Sequence, residues 1–175
     1  MLSGDVQKSI GAFDTALDMD GKLTEARFNR AVAWMRLGMT QRASETFVEM
    51  AHDEKSPLRA SAAFHNALAL DAMRKPAEAE KWLESAIALD PSLDSALLYL
   101  GALRERRGDL QGAGKAYKQF LAAHPDSIIA MLRYGVSAER AGFTDVGKKY
   151  LQRVVDAAPD SAEAAEARKF LVMWE

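Results

Sequence analysis

The stretch Gly108-Asp109-Leu110-Gln111-Gly112-Ala113-Gly114-Lys115 is the first place where residue types and spacing suggest chemistry. A glycine-rich run closed by lysine is how a loop cradles phosphates with backbone N–H groups and an ammonium. Here the outer glycines stand one residue too far apart, Ala116 takes the place of the Ser or Thr that would hold magnesium, and no strand pattern precedes the run. It reads as a turn entering a helix that needs small residues. His52, His65 and His124 lack a second ligand at helical spacing, so no metal site is expected from them. His124 sits beside a helix C-terminus, where partial negative charge favours a donor or cation, and Arg104, Arg106 and Arg107 crowd another last turn for the same reason. The chain holds no cysteine, which removes thiolate ligands, thiol nucleophiles and disulfides. No Ser, His and Asp set and no carboxylate pair falls into one cleft. The expectation is a chain with no catalytic residues, no metal and no cofactor, hence not an enzyme.

The 175 residues are 49% apolar, enough for one domain-sized core. A formal charge of −2 and a pI near 6.0 give no basic face for phosphates, so nucleic acid is not an expected partner. No apolar run reaches the roughly 20 residues of a membrane helix, and Met1 to Asp5 does not look like a charged leader. Cytoplasm and periplasm both stay open as compartments.

Three prolines reveal a period. Pro91, Pro125 and Pro159 lie 34 residues apart, and each follows the end of a helix pattern. Counting back from each finds the same face: Ala79, Leu83, Ala86, Ile87; then Ala113, Tyr117, Phe120, Leu121; then Gly147, Leu151, Val154, Val155. These offsets form one helical stripe. The stripe recurs upstream as Ala43, Phe47, Met50, Ala51 and as Ser9, Phe13, Ala16, Leu17. A partner helix precedes each of the last four copies, with a small residue at its waist (Ala31, Ala67, Gly101 or Gly135) where two backbones can approach closely. Gly38, Gly108 and Gly142 predict helix ends, with Thr40, Asp109 and Thr144 as the oxygen-bearing starts that follow, and Pro76 predicts a first turn. Ser56-Pro57, Ser92, Ser127 and the pair Asp160 and Glu163 mark the starts between hairpins. Connections this short force antiparallel neighbours.

Leu97-Leu98-Tyr99-Leu100-Gly101, Gly108, Ala113, Tyr117 and Pro125, followed by Tyr134, Gly135, Gly142, Leu151 and Pro159, resemble the tetratricopeptide repeat pattern. The pattern's tryptophan is missing throughout, Arg30 and Asn66 replace its leucine, Arg104 replaces its tyrosine, and two extra residues interrupt the period near Ser56-Pro57. The resemblance implies an all-α fold, a right-handed superhelical stack of antiparallel helix hairpins. Full repeats fall at 24–57, 60–93, 94–127 and 128–161, with a half-repeat (second helix only) at 1–23 and a capping helix at 162–175, as a single domain or a fragment of a longer protein.

By that resemblance, the first helix of each hairpin lines a concave groove that takes a protein or peptide. The groove positions are Phe28, Val32, Phe64, Leu68, Leu98, Ala102, Arg106, Leu132, Val136 and Arg140, an apolar ladder with a charged margin suited to a helical or extended segment. Phe28 and Phe64 have a second reading, as core residues replacing the missing tryptophan. Some family members clamp chaperone C-terminal carboxylates with Lys and Asn, yet here Leu98, Ala102 and their equivalents occupy those places, which disfavours that ligand. Two alternatives stand beside the binding scaffold. The helix of Phe13 and Leu17 lacks a hairpin partner, and Phe170 and Val172 face away from the stripe of Ala164, Ala167, Leu171 and Trp174, so a homodimer or assembly through the end helices is one. The other is the non-catalytic part of a larger enzyme or secretion machine.

Overall fold

A computed structural model describes residues 2–174, with side chains from 4 to 173. Among the described residues there are ten α-helices and no strand: α1 (Leu2–Met19), α2 (Thr24–Arg36), α3 (Thr40–His52), α4 (Arg59–Ala72), α5 (Pro76–Leu89), α6 (Asp94–Arg106), α7 (Leu110–Ala123), α8 (Ile128–Arg140), α9 (Thr144–Ala157) and α10 (Ala162–Leu171). A 3₁₀ turn at Val172–Trp174 follows, so the last helix is shorter than its periodicity suggested.

Two compact units form, one through Ala96 and the other from Leu97. In the first, α1 packs on α2, α2 on α3, α3 on α4 and α4 on α5; in the second, α8 packs on α7, α9 and α10. The repeated stripe becomes the core of each unit. Phe47, Met50, Leu83 and Ala86 are buried in the first, Tyr117, Leu121, Leu151 and Val154 in the second. Burial of each large apolar side chain contributes roughly 1.5–3 kcal/mol. The earliest copy of the stripe is weaker: Phe13 and Leu17 are half-buried and Ser9 is exposed, while Ile10 is the buried one among the described side chains of α1.

The small waists do what their size allows. Ala31 and Ala67 are fully buried, and a Cβ on Gly135 would fall 3.2 Å from the Leu151 backbone nitrogen, so α8 and α9 lie backbone to side chain. A Cβ on Gly101 would enter the Tyr117 ring.

The four turns within hairpins share one design. Gly38, Gly108 and Gly142 have φ of 77°, 81° and 86°, and Arg74 takes the same left-handed place at 62°. The next N–H in each turn closes onto the helix five residues back: Met39 to Trp34, Lys75 to Leu70, Asp109 to Arg104, and Phe143 to Ala138, at 2.8–2.9 Å. That bond ties the residue after the glycine into the turn and makes it the N-cap. Thr40 and Thr144 therefore stand one place later than expected, inside their helices, while Asp109 caps α7 by accepting from Gly112 N–H at 2.8 Å. At α10 the cap is Ser161, which accepts from Ala164 N–H at 3.0 Å, rather than Asp160. Ser127 occupies the N-cap of α8 without a side-chain cap bond.

Candidate partner-binding cleft

The ten groove positions divide between the units. In the first, Phe28 turns inward: its ring lies edge-on to His65 at 4.8 Å and 5.5 Å from buried Phe47. Phe28 is itself half-buried. Phe64 is half-buried, 5.3 Å from His65, and Leu68 is half-buried too. Val32 lines a small cleft with Val6, Phe13, Asn29 and Arg36, between α1 and α2.

The second unit gathers Ala102, Arg106, Val136 and Arg140 into one cleft of about 390 Å³, walled by α6, α8 and α10. Glu105, Arg133, Glu166 and Phe170 complete it. Leu98 is half-buried outside this lining. Leu132 is a correction: it is 1% exposed and offers no surface, because α8 is packed on three sides by α7, α9 and α10. On α8 the cleft is lined by Arg133, Val136 and Arg140, an i, i+3, i+7 face that keeps two of the expected positions and sets exposed Arg133 where Leu132 was expected, with Val136 itself 6% exposed. Phe170 and Glu166, one turn apart on α10, join the lining from outside the expected groove positions, because the groove pattern covers only the first helix of each hairpin.

The cleft is also more polar than the apolar ladder suggested, since five of its eight lining residues are charged. Ala102, Val136 and Phe170 supply the apolar part, and Arg106, Arg133 and Arg140 ring it. Glu105 is held in place from two sides. Tyr117 Oη donates to its Oε2 at 2.8 Å and Ser137 Oγ donates to its Oε1 at 2.9 Å. Burial, then the bond to Glu105, pushes Tyr117 above the ordinary tyrosine range, so the phenol stays a donor. The Arg140 guanidinium lies 6.0 Å from the Phe170 ring centre, and Arg106 lies 5.8 Å from that of Tyr99. Among the described residues Arg133 and Arg140 make no ion pair, which leaves two cationic forks facing solvent.

The His52 ring lies tilted beside Trp82 at 5.7 Å and that of His124 beside Phe120 at 4.6 Å, and no group of three metal-ligating side chains occurs among the described residues.

Two tetratricopeptide repeat models match the chain, at residues 64–128 and 129–161, together more than half of it. The chain is a tetratricopeptide repeat (TPR) protein. A human relative, Tetratricopeptide repeat protein 7A, is 31% identical over 87 residues; the match takes in half of this TPR chain but only 10% of the relative. Among solved structures, MamA is similar at a TM-score of 0.76 and 23% identity, over 91% of this chain and 92% of that one. YrrB, described as a TPR protein with an unusual peptide-binding site, is similar at 0.73 and 18%, over 95% and 84%. At these identities the likeness is one of fold, a TPR-type α-solenoid.

Proposed function

We propose that this TPR chain is a non-enzymatic scaffold that holds a helical or extended segment of a partner protein in the cleft between α6, α8 and α10. A protein-interaction role is the coarse function that goes with the repeat family. The observation that carries the finer reading is the ring of Arg106, Arg133 and Arg140 around an apolar patch of Ala102, Val136 and Phe170. An apolar side chain of the partner seats on the patch while its carboxylates meet the guanidiniums, which recognise them as planar forks. The repeat boundaries at 24–57, 60–93, 94–127 and 128–161 belong to this reading, as does participation in a longer protein or larger machine.

The test is to place a photoreactive residue at Arg140, identify the cross-linked segment, and measure its affinity for the unmodified chain and for Arg106→Glu/Arg133→Glu. A loss of roughly tenfold or more with unchanged helicity is expected. Equal affinity in the two proteins would remove the cleft from the account.

Self-association through the end helices is the second reading, favoured by Val172 and Met173, which are 66% and 75% exposed beside α10. A light-scattering mass that stays monomeric across accessible concentrations excludes it.

A further inference from the structure

The repeat builds a second kind of opening twice, once in each unit, away from the residues of the cleft above. In the first unit it lies between α3, α4 and α5, about 420 Å³ in volume; in the second it lies between α7, α8 and α9, about 260 Å³. The two are equivalent position by position. Gln41, Ser44, Glu45, Asn66, Leu70 and Met73 hold the places that Gln111, Gly114, Lys115, Tyr134, Ala138 and Ala141 hold, with the register adjusted by the insertion at Ser56-Pro57. The backbone frame is shared and the chemistry is reversed.

In the second unit the opening is apolar with a basic edge. Tyr134 fills the place of Asn66 and sits edge-on to Tyr150 at 4.6 Å, while Phe143 and Val146 stand where Lys75 and Glu78 stand in the first unit. In the first unit Glu45, Glu49 and Glu78 line the opening; Glu78 pairs with Lys75 at 3.5 Å and Glu49 with Arg27 at 3.1 Å, while Glu45 accepts from Gln41 Nε2 at 3.0 Å and, among the described residues, has no cation beside it. The half-buried indole of Trp82 and the side chains of Val48, Leu70 and Met73 give it an apolar side. Asn66 supplies an independent sign. It is 1% exposed and its Oδ1 accepts from Ser44 Oγ at 2.6 Å, yet its buried Nδ2 has no acceptor. Ser44 satisfies the oxygen end of the amide, so the nitrogen is the end left over. A buried donor left over at the wall of a cleft marks a place for an incoming acceptor.

We infer that the notch between α3, α4 and α5 is a second docking site, for a partner-protein segment that carries an arginine or lysine beside an apolar side chain. The cationic head lies against the Trp82 indole with Glu45 and Glu78 around it, the apolar neighbour meets Leu70 and Met73, and a main-chain carbonyl of the segment accepts from Asn66 Nδ2. This site does not rest on the α6–α8–α10 cleft.

The experiment is a nuclear magnetic resonance titration of the full chain at low salt. The probe is the capped peptide of four Leu-Arg-Ala units, and the counterpart has four Leu-Glu-Ala units. The reporters are the Trp82 indole N–H and the Asn66 side-chain amide. The arginine peptide is expected to shift both to saturation, and the glutamate peptide neither. Glu45→Lys/Glu78→Lys should weaken binding roughly tenfold or more. Glu25→Lys/Glu54→Lys, the same change of charge outside the notch, should leave it unaltered, and so should Lys115→Glu/Lys118→Glu in the equivalent opening. Equal weakening by both glutamate pairs, equal response to both peptides, or shifts confined to α6, α8 and α10 would overturn the assignment.

Discussion

His65 shows how one residue's neighbours set its chemistry. Its Nδ1 is 2.8 Å from the Ser61 carbonyl, and its ring is packed among Phe28, Phe47 and Phe64. Burial lowers its pKa below the ordinary 6.5, outweighing the carbonyl bond that raises it. The folded chain thus prefers the neutral ring, while the unfolded chain takes up a proton as pH falls through about 6.5. The stabilisation is complete above that pH and declines below it, by at most about 1.4 kcal/mol per pH unit for a single proton. Thermal midpoints measured from pH 7.5 to 5.0 should fall, and His65→Leu should flatten the part of the slope that this ring supplies; an identical slope in the variant would rule the ring out. At this scale the sequence was only partly readable. Types and spacings named Ala102, Arg106, Val136 and Arg140, which line one cleft, but whether Leu132 or Arg133 faces out depends on how tightly α8 is enclosed. A single position separates the two answers, and a 34-residue period does not encode it.

At the scale of elements, the turns within hairpins were the most readable feature, because only a few residue types tolerate a left-handed backbone. Three glycines marked three turns. The fourth turn keeps the same geometry with Arg74, so the neighbouring packing of α4 on α5 holds a conformation that costs a non-glycine residue roughly 1–2 kcal/mol. Arg74 is exposed, so its side chain gives little in return. Arg74→Gly is expected to stabilise the chain by about 0.5–1 kcal/mol, read as a higher urea midpoint at unchanged slope; the remainder is lost to the greater freedom of glycine when unfolded. A lower midpoint would mean that the arginine contributes more than its backbone costs. Cap identities were harder to read, since Thr40 and Thr144 are good capping residues placed one position too late. The extra bond of the glycine turn decides their place, and that bond is a property of the closed hairpin.

For the molecule as a whole, packing within each unit joins helices that are adjacent or next but one along the chain. Stability in such stacks is close to a sum of local terms. Gly135→Ala forces a methyl group against Leu151 and should cost about 1–3 kcal/mol, felt first in α8, α9 and α10. Hydrogen exchange should then lose protection in those helices while amides of α2 to α4 keep theirs. Uniform loss across both units would show one cooperative block instead. The repeat frame was legible at this scale, but the opposite charge of its two equivalent notches was not, because it emerges only when Glu45 is set beside Glu78 and Lys115 beside Val146 in space. The same near-neighbour packing has a mechanical side. Tension applied along the chain meets no long-range zipper that must shear at once, so hairpins should peel away one at a time. Each would release a contour of about 110 Å for its 34 residues, so within a unit the stack would pay out like a ratcheted spring and rewind when the load is removed.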